Sequence, residues 1–524
     1  MMNNVEYMNI PKEKFEFVSQ GEKIHDTKLD TKPIGYFKDA WIRFRKNKGS
    51  VIAFGIIVVL VLFAIVAPLF SNYTLADRDG YYATVLPKNS LLAKIGIWDG
   101  TEIRSDTKAG FDYYNSIGVE SGMDAILGKV KKIQHKNGVS YEFKVDTYNQ
   151  VGYAFLTLSK TQYQALFDHQ QKTGIQIFYP MTANHGTNYI MGNSGANLWY
   201  KLADEYDENG AYLGPQKETG GAALYDADGN YQPNYITTQN AESLGVKNVK
   251  SYDGSRIDGD DGSYVYALTV QGGYKVRVNY FNYYTFINGH EPCFLFGTNG
   301  YGQDIFTALA MGARLSFILA ILVSAINLTI GAIYGAIEGY YGGTIDIVME
   351  RISEILSSVP FIVVATLFQL HLSEKVGVFP SLLFAFVLTG WVGMASRVRM
   401  QFYRFKGQEY VLAARTLGAS DKRVMFKHIF PNSLGTIITS VVLSIPGVIF
   451  SESMLTYLGI VNLNTSSTMT SIGTMLSQGS SYLTTHPHVL IFPAVFISLL
   501  EISFNLFGNG LRDAFNPSLR GVEE

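Results

Sequence analysis

The side chains best placed for chemistry are two carboxylates in apolar surroundings. Glu452 lies at the outer end of one long apolar run and Glu501 lies inside another. A charge within a bilayer is costly, so such a residue needs a wet path or a bonded partner. Either glutamate can meet a cationic amino group in a pore, or fix the packing of two helices through a hydrogen bond or ion pair. Elsewhere the candidates thin out. Asp226, Asp228 and Asn230 have the alternate-position spacing of a calcium loop, but the glycine at the sixth position and the distal glutamate are missing. A hairpin turn explains that spacing better. His135, His169, His185 and His290 are scattered without metal-ligand spacing. No nucleophile and base, phosphate-binding glycine loop or paired carboxylates stand out, so no catalytic residue, metal site or bound cofactor is expected on this chain.

The charges concentrate instead in Gln408 to Pro431, QEYVLAARTLGASDKRVMFKHIFP. Glu409, Arg415, Asp421, Lys422, Arg423 and Lys427 are too many for a span, so this stretch reads as a folded loop on one side of a membrane. Tyr410, Val411, Ala414 and Leu417 fall at i, i+1, i+4 and i+7, which predicts an apolar stripe on one face of a short helix. Gly418 suits the left-handed residue that ends a helix. Ser420 is placed to cap a second helix with Asp421 in its first turn and Lys427 in its last. Pro431 is expected to close the run.

The rest of the chain supplies membrane around that loop. At 524 residues there is room for two or more domains. Charged residues make up only 16% and mean hydropathy is +0.09, values that suit a membrane protein with a sizeable wet part. A net charge of −2 gives no footprint for nucleic acid. The single cysteine, Cys293, excludes an intramolecular disulfide. The N-terminal residues are polar and mixed in charge, so residues 1–50 read as a cytoplasmic tail without a cleavable signal. Lys38, Arg43, Arg45, Lys46 and Lys48 then precede the uncharged run 51–70, Val51 to Phe70, and hold the N-terminus inside.

From residue 71 to 293 the hydropathy collapses. Ser71 to Pro292 holds 24 of the 34 tyrosines, with 19 Lys and Arg against 24 Asp and Glu. The orientation of the first span makes this insert extracellular. Tyr264, Tyr266, Leu268 and Val270, then Tyr274, Val276, Val278 and Tyr280, alternate as strands. Gln271, Gly272 and Gly273 between them signal a hairpin. Turns are also expected at Asn209 with Gly210 and at Asp228 with Gly229, and a helix over Thr161 to Gln170. The insert therefore reads as α+β. Residues 294–524 return to the membrane, with spans expected over Leu315 to Ile337, Ile355 to Leu370, Val376 to Ala395, Leu434 to Phe450 and Val489 to Leu506. Six spans place Gln408 to Pro431 and the C-terminus in the cytoplasm. Charge agrees, since residues 397–427 hold eight Lys or Arg and residues 461–488 hold none.

Four strings resemble a known family. Ala413, Ala414 and Gly418, with Ile429, Phe430 and Pro431, look like the EAA loop of ATP-binding-cassette importer permeases, with Leu412 where that loop usually has Glu. Ahead of the second span, Gly297, Thr298, Gly302, Asp304, Gly312, Ala313 and Arg314 resemble the sequence that leads into C-type permease subunits of oligopeptide and dipeptide importers, with Asn299 and Gln303 replacing Asp and Arg. There Arg314 can snorkel into headgroups or pair with Asp304. Gly339, Tyr340, Tyr341, Gly342, Gly343 and Asp346, and Asn505, Leu506, Gly508, Gly510, Leu511, Arg512, Asp513 and Pro517 near the C-terminus, extend the likeness.

The resemblance implies an α-helical polytopic membrane protein with six transmembrane helices and a type I importer permease fold, in the plasma membrane of a bacterium. It implies a second homologous permease, two cytoplasmic ATPase subunits that bind ATP and Mg, an extracellular peptide-binding lipoprotein, and peptide as cargo. The ATPase-coupling role falls to Glu409, Tyr410, Ala413, Ala414, Arg415, Gly418 and Pro431, where small residues let another backbone come close. The tyrosine-rich insert has no counterpart in the usual family member. It is expected to dock the binding protein or cover the pore mouth, since tyrosine supplies contact area at low entropic cost. Nickel or another small solute is an alternative cargo, and a membrane-anchored sensor an alternative role.

Overall fold

The computed structural model describes residues 36–515 apart from 137, 183–192, 201–203, 207–211, 216–224, 227, 251–259 and 464–468. The tail before residue 36, His185, the turn at Asn209 and Gly210, and Pro517 lie outside them. The chain opens with α1 (Tyr36–Lys46) and α2 (Lys48–Phe70), separated only by Asn47. The Asn47 side chain caps the second by accepting from the Ser50 N–H at 3.2 Å. Over 23 residues α2 reaches about 35 Å, enough to cross a hydrocarbon core.

The insert follows as β1 (Thr101–Asp106), α3 (Lys108–Ser121), β2 (Ile126–His135), β3 (Gly138–Asp146), β4 (Tyr153–Ser159), α4 (Lys160–Thr173), β5 (Phe178–Tyr179), α5 (Asn193–Ala196), β6 (Asp204–Tyr206), β7 (Tyr212–Pro215), β8 (Val249–Lys250), β9 (Ala267–Val270), β10 (Gly273–Asn279) and α6 (Tyr280–Asn288). One antiparallel sheet has the order β1-β3-β2, and a second runs β4-β10-β9-β8 with β5 on the far half of β10. Strand period two sorts the second sheet. Val276 and Val278 join Leu158 and Leu166 under α4, whereas Tyr153, Phe155 and Tyr179 face the opposite cluster. The expected hairpin forms at Gln271 and Gly272, with Val270 opposite Gly273 and Gly272 at φ +83°. Tyr280 leaves the strand and starts α6, because the Asn279 side chain caps that helix. The helix expected over Thr161 to Gln170 is α4, started by a capping box between Ser159 and Gln162.

The bundle resumes with α7 (Ile305–Tyr341), α8 (Gly343–Ser357), α9 (Phe361–His371), α10 (Ser373–Val376), α11 (Val378–Phe405), α12 (Glu409–Thr416), α13 (Asp421–Arg423), α14 (Phe430–Tyr457), α15 (Ile472–Ser480) and α16 (His488–Phe515). Among the described residues five helices are long and apolar enough to cross a membrane. The short span expected over Ile355 to Leu370 is instead two helices, α8 and α9, bent by 68°. Pro360 explains the break, since it has no N–H to donate and pushes Val359 away from helical dihedrals. Taken as one broken span, the pair brings the number to six. Helix α7 spans 37 residues, roughly 55 Å against a core of about 30 Å, so it stands clear of the bilayer.

Gly331, Gly335 and Gly339 recur every four residues along α7 and let α11 approach backbone to backbone. A Cβ on Gly335 would run into the Ala395 carbonyl, and one on Gly339 into that of Arg399. Pro431 does not end the second loop helix. Asp421 to Tyr457 is one helical run, and Val424–Ile429 widens into a π-turn ahead of the proline, so that the Phe430 N–H reaches Met425 O. The widened turn accommodates the N–H that Pro431 lacks without a break.

Candidate functional site

The loop from Gln408 to Pro431 folds as α12, a left-handed turn and the start of the long helix. Gly418 has φ +82° and bonds Arg415 O through its N–H, and the Ser420 hydroxyl accepts from the Arg423 N–H at 3.4 Å. The apolar stripe does not stay on one side. Val411 is wholly buried against Tyr340, Phe402, Val424 and Met425, whereas Tyr410 is 40% exposed and Leu417 88% exposed. Leu412 is 48% exposed as well, and Glu409, Ala413 and Arg415 are exposed along the same helix. One side of this short helix is thus packed on the bundle, and the rest is open to solvent.

Behind α12 stands a brace that connects the loop to three helices. The Arg415 guanidinium lies 4.8 Å over the Tyr340 ring, and the Tyr340 hydroxyl donates to Asp421 Oδ1 at 2.6 Å. Lys406 Nζ donates to Gly339 O at 3.0 Å. On α11, Arg399 grips Asp346 of α8 with two bonds of 2.6 and 2.9 Å and reaches Glu350 at 3.1 Å. The Tyr403 hydroxyl gives Asp346 a further bond, of 2.5 Å. Glu338 sits farther off, 3.7 Å from Arg399 Nε. Sequence reasoning had the string Gly339 to Asp346 but missed Arg399. A charged residue on an otherwise apolar helix, two positions from another arginine, was the available signal.

The string before α7 clamps the insert to the bundle. Thr298 is fully buried; its N–H bonds Val85 O at 3.1 Å, and its hydroxyl donates to Tyr82 O and accepts from Val85 N. Gly297 (φ +74°) and Gly302 (φ +72°) are required there, since a Cβ would run into Val85 O and Asp79 O respectively. Asp304 caps α7 by accepting from Thr307 N at 2.8 Å, and burial pushes its carboxyl above the usual range. Of the two alternatives for Arg314, the pairing with Asp304 is not formed. The aspartate is turned to its own helix end, and Arg314 makes no ion pair among the described residues.

The two glutamates differ. Glu452 is fully buried and accepts from the Ser316 hydroxyl of α7 at 2.8 Å, an interhelical bond between α14 and α7. Glu501 is half-buried on α16, with Oε1 unpartnered. Asp226 makes the turn read from the sequence, its Oδ1 accepting from the N–H groups of Asp228 and Asn230 at 3.0 and 2.8 Å. Among the described residues no group of three or more His, Cys, Asp or Glu is placed to hold a metal ion.

Two family models and several characterised proteins match parts of this chain. A family model described as the inner membrane component of binding-protein-dependent transport systems matches residues 327–521. A second, the N-terminal transmembrane domain of oligopeptide transport permease C, matches residues 35–89. The oligopeptide transport system permease protein OppC of Bacillus subtilis is 43% identical over 225 residues, 43% of this chain and 72% of that one. The dipeptide permease DppC of the same organism is 41% identical over 226 residues, 43% of this chain and 69% of that one. OppC of Haemophilus influenzae is 40% identical over 230 residues, 44% of this chain and 72% of that one. A chain of a solved methionine ABC transporter in an inward-facing conformation aligns over 40% of this chain and 96% of its own length, at 17% identity and a TM-score of 0.32.

Proposed function

The chain belongs to the family of binding-protein-dependent inner-membrane permeases that includes the oligopeptide and dipeptide permease C proteins, and from that premise we propose that it is the C-type permease of a peptide importer. It lines the translocation path together with a second homologous permease. Two cytoplasmic ATPase subunits hold ATP and Mg, and an extracellular lipoprotein delivers oligopeptide or dipeptide. Both termini and the Gln408 to Pro431 loop face the cytoplasm, and the insert faces outward.

The observation that carries this reading is the split face of α12. Tyr410, Leu412 and Leu417 stand outward for an ATPase cleft, while Val411 and Arg415 rest on a brace that reaches α7, α8 and α11. ATP-driven closure of the ATPases moves α12, and the brace passes that motion to the spans, rocking them between inward-open and outward-open arrangements. The insert, clamped through Thr298 to the outer end of α7, serves as a docking platform for the binding protein or as a cover over the pore mouth.

Gentle affinity purification of the tagged chain from its native membrane, with mass spectrometry and an ATPase assay, tests the assembly. The expected result is a second permease, two ATPase chains and hydrolysis stimulated by peptide-loaded binding protein. A chain recovered without ATPases overturns the reading. Within such a complex Gly418→Trp, which forces a bulky residue into a left-handed turn, is expected to leave hydrolysis in place. Uptake should fall about ten- to a hundredfold, the reach of a coupling of roughly 1–3 kcal/mol. Unchanged uptake removes α12 as the joint.

A further inference from the structure

A cleft of about 500 Å³ opens between α11, α14 and α16 at the end of the bundle that carries the coupling loop, and Arg397, Arg404 and Arg512 all line it. Each of these arginines is exposed, and among the described residues none makes an ion pair. Their neighbour Arg399, two residues along α11, is fully engaged by Asp346 and Glu350 on the other side of the helix. Three guanidinium groups from two helices gathered on one cavity, with no carboxylate brought to them, leave their planar donor forks free for an oxyanion. Gln401 shares the lining, and its buried Oε1 has no hydrogen-bond partner. Its amide can turn to offer the NH2 group instead.

What enters this cavity is set by the wall beside the arginines. Thr436, Ser440 and Ser444 follow one another at every fourth residue of α14 and line the same cleft. They form a hydroxyl ladder roughly 12 Å long that runs from the arginines into the span. Ser440 and Ser444 donate their protons to the carbonyls of Thr436 and Val441, at 2.9 and 2.7 Å, which leaves their oxygens as acceptors. Ser444 also lies 3.2 Å from the Ser324 hydroxyl of α7. An acyl chain needs an apolar wall at this depth, and Met400, Leu443 and Phe515 supply only part of one, whereas a peptide backbone needs acceptors for its N–H groups, which the ladder offers. The geometry points to a binding site for the carboxylate end of the cargo on the inner half of the path. There the arginine cluster holds the carboxylate and the ladder holds the last peptide groups before release. This rests on the peptide-importer reading above and adds the chemistry by which the exit side recognises its cargo.

The test compares one peptide as its free acid and as its C-terminal amide, in the purified complex of both permeases and ATPases reconstituted in liposomes with its binding protein. Arg397→Gln, Arg404→Gln and Arg512→Gln are measured singly, with the matching Lys variants. Peptide-stimulated hydrolysis reports that each variant assembles. In the unaltered complex the acid is expected to be taken up faster than the amide. The Gln variants should lower that acid-to-amide ratio about tenfold, the loss of one charge-assisted contact, while the Lys variants restore part of it. The binding protein's own preference is the same throughout and cancels in the comparison. A ratio unchanged in all three Gln variants overturns the site. So does a Gln effect that acts equally on acid and amide and disappears when phosphatidylglycerol is replaced by phosphatidylcholine, because the arginines then serve a lipid headgroup. An unaltered complex that hydrolyses ATP but imports neither peptide overturns the importer reading and this site with it.

Discussion

Arg277 in the insert and Arg399 in the span bundle each hold both oxygens of one carboxylate, but only the first is shut away from water. Arg277 and Glu120 are 0% and 1% exposed and meet through two bonds of 2.6 Å. Every remaining direction is filled. Arg277 also donates to Ala196 O and Pro180 O and lies 3.9 Å over the Tyr153 ring, while Glu120 accepts from the Tyr235 hydroxyl at 2.9 Å. Arg399 is 24% exposed and has Asp346, Glu350 and Glu338 all within 4 Å. One arginine facing three carboxylates has other partners to move to. A closed pair fixes one structure, and an open cluster with spare acceptors suits a joint with more than one setting.

The largest effect is expected from opening the closed pair. Glu120→Gln leaves the Arg277 charge buried without its counter-charge and should destabilise the insert by about 3–5 kcal/mol. Proteolysis of the insert and thermal unfolding of the complex measure that loss. Replacing both partners with apolar residues, Glu120→Leu with Arg277→Met, should recover most of it, because the cost is the orphaned charge rather than the lost attraction. Uptake that falls with Glu120→Gln and returns in the double variant ties the insert to transport. Full uptake with a melted insert assigns it another task.

Opening the exposed cluster should cost less stability and more coupling. Asp346→Asn keeps the size of the side chain and weakens both guanidinium bonds, a loss of about 1–2 kcal/mol given the solvent around Arg399. Assembly and basal hydrolysis should persist while uptake drops roughly 5- to 30-fold. Arg399→Lys should fare no better, since an ammonium cannot reproduce the fork. If both variants import normally, the cluster is packing and the coupling motion travels by the glycine-lined contact of α7 and α11 instead.

The same contrast explains what was legible in the sequence. Gly418, Ser420 and the hairpin at Gly272 could be read because each acts through its own backbone or that of residues a few positions away. Five of the six expected spans followed from apolar run lengths, whereas the one over Ile355 to Leu370 is a bent pair of helices because Pro360 breaks a stretch that length alone would leave straight. The outward turn of Leu417 was not legible, because an eight-residue helix has too few turns for periodicity to tell a buried apolar side chain from an exposed one. Neither organising arginine could be paired from the sequence. Arg277 meets a glutamate 157 positions away, Arg399 an aspartate 53 positions away, and both pairings depend on how whole elements pack. Gly331, Gly335 and Gly339 did carry a signal, the four-residue spacing of small residues in an apolar helix.

The smallest effect belongs to a site between the two regions, at the foot of the insert. Asp79 accepts from the Tyr280 hydroxyl at 2.9 and 2.8 Å. Burial raises its carboxyl above the usual range, although that hydroxyl and the N–H groups of Tyr81 and Tyr82 pull the other way. A carboxyl that holds its proton more tightly when folded than when unfolded costs stability as pH rises through that interval and returns it as pH falls. Asp79→Asn keeps an oxygen for Tyr280 and removes the charge. At pH 7 it should stabilise the complex slightly, by less than about 1 kcal/mol, with a small rise in melting temperature. The difference should shrink as pH falls through the raised interval and be lost below the ordinary aspartate value of 3.8, where the carboxyl is protonated folded and unfolded alike. A variant less stable than the native chain at pH 7 would show that the carboxylate charge holds the insert to the bundle, and the foot would then belong with the charged brace rather than with the closed pair.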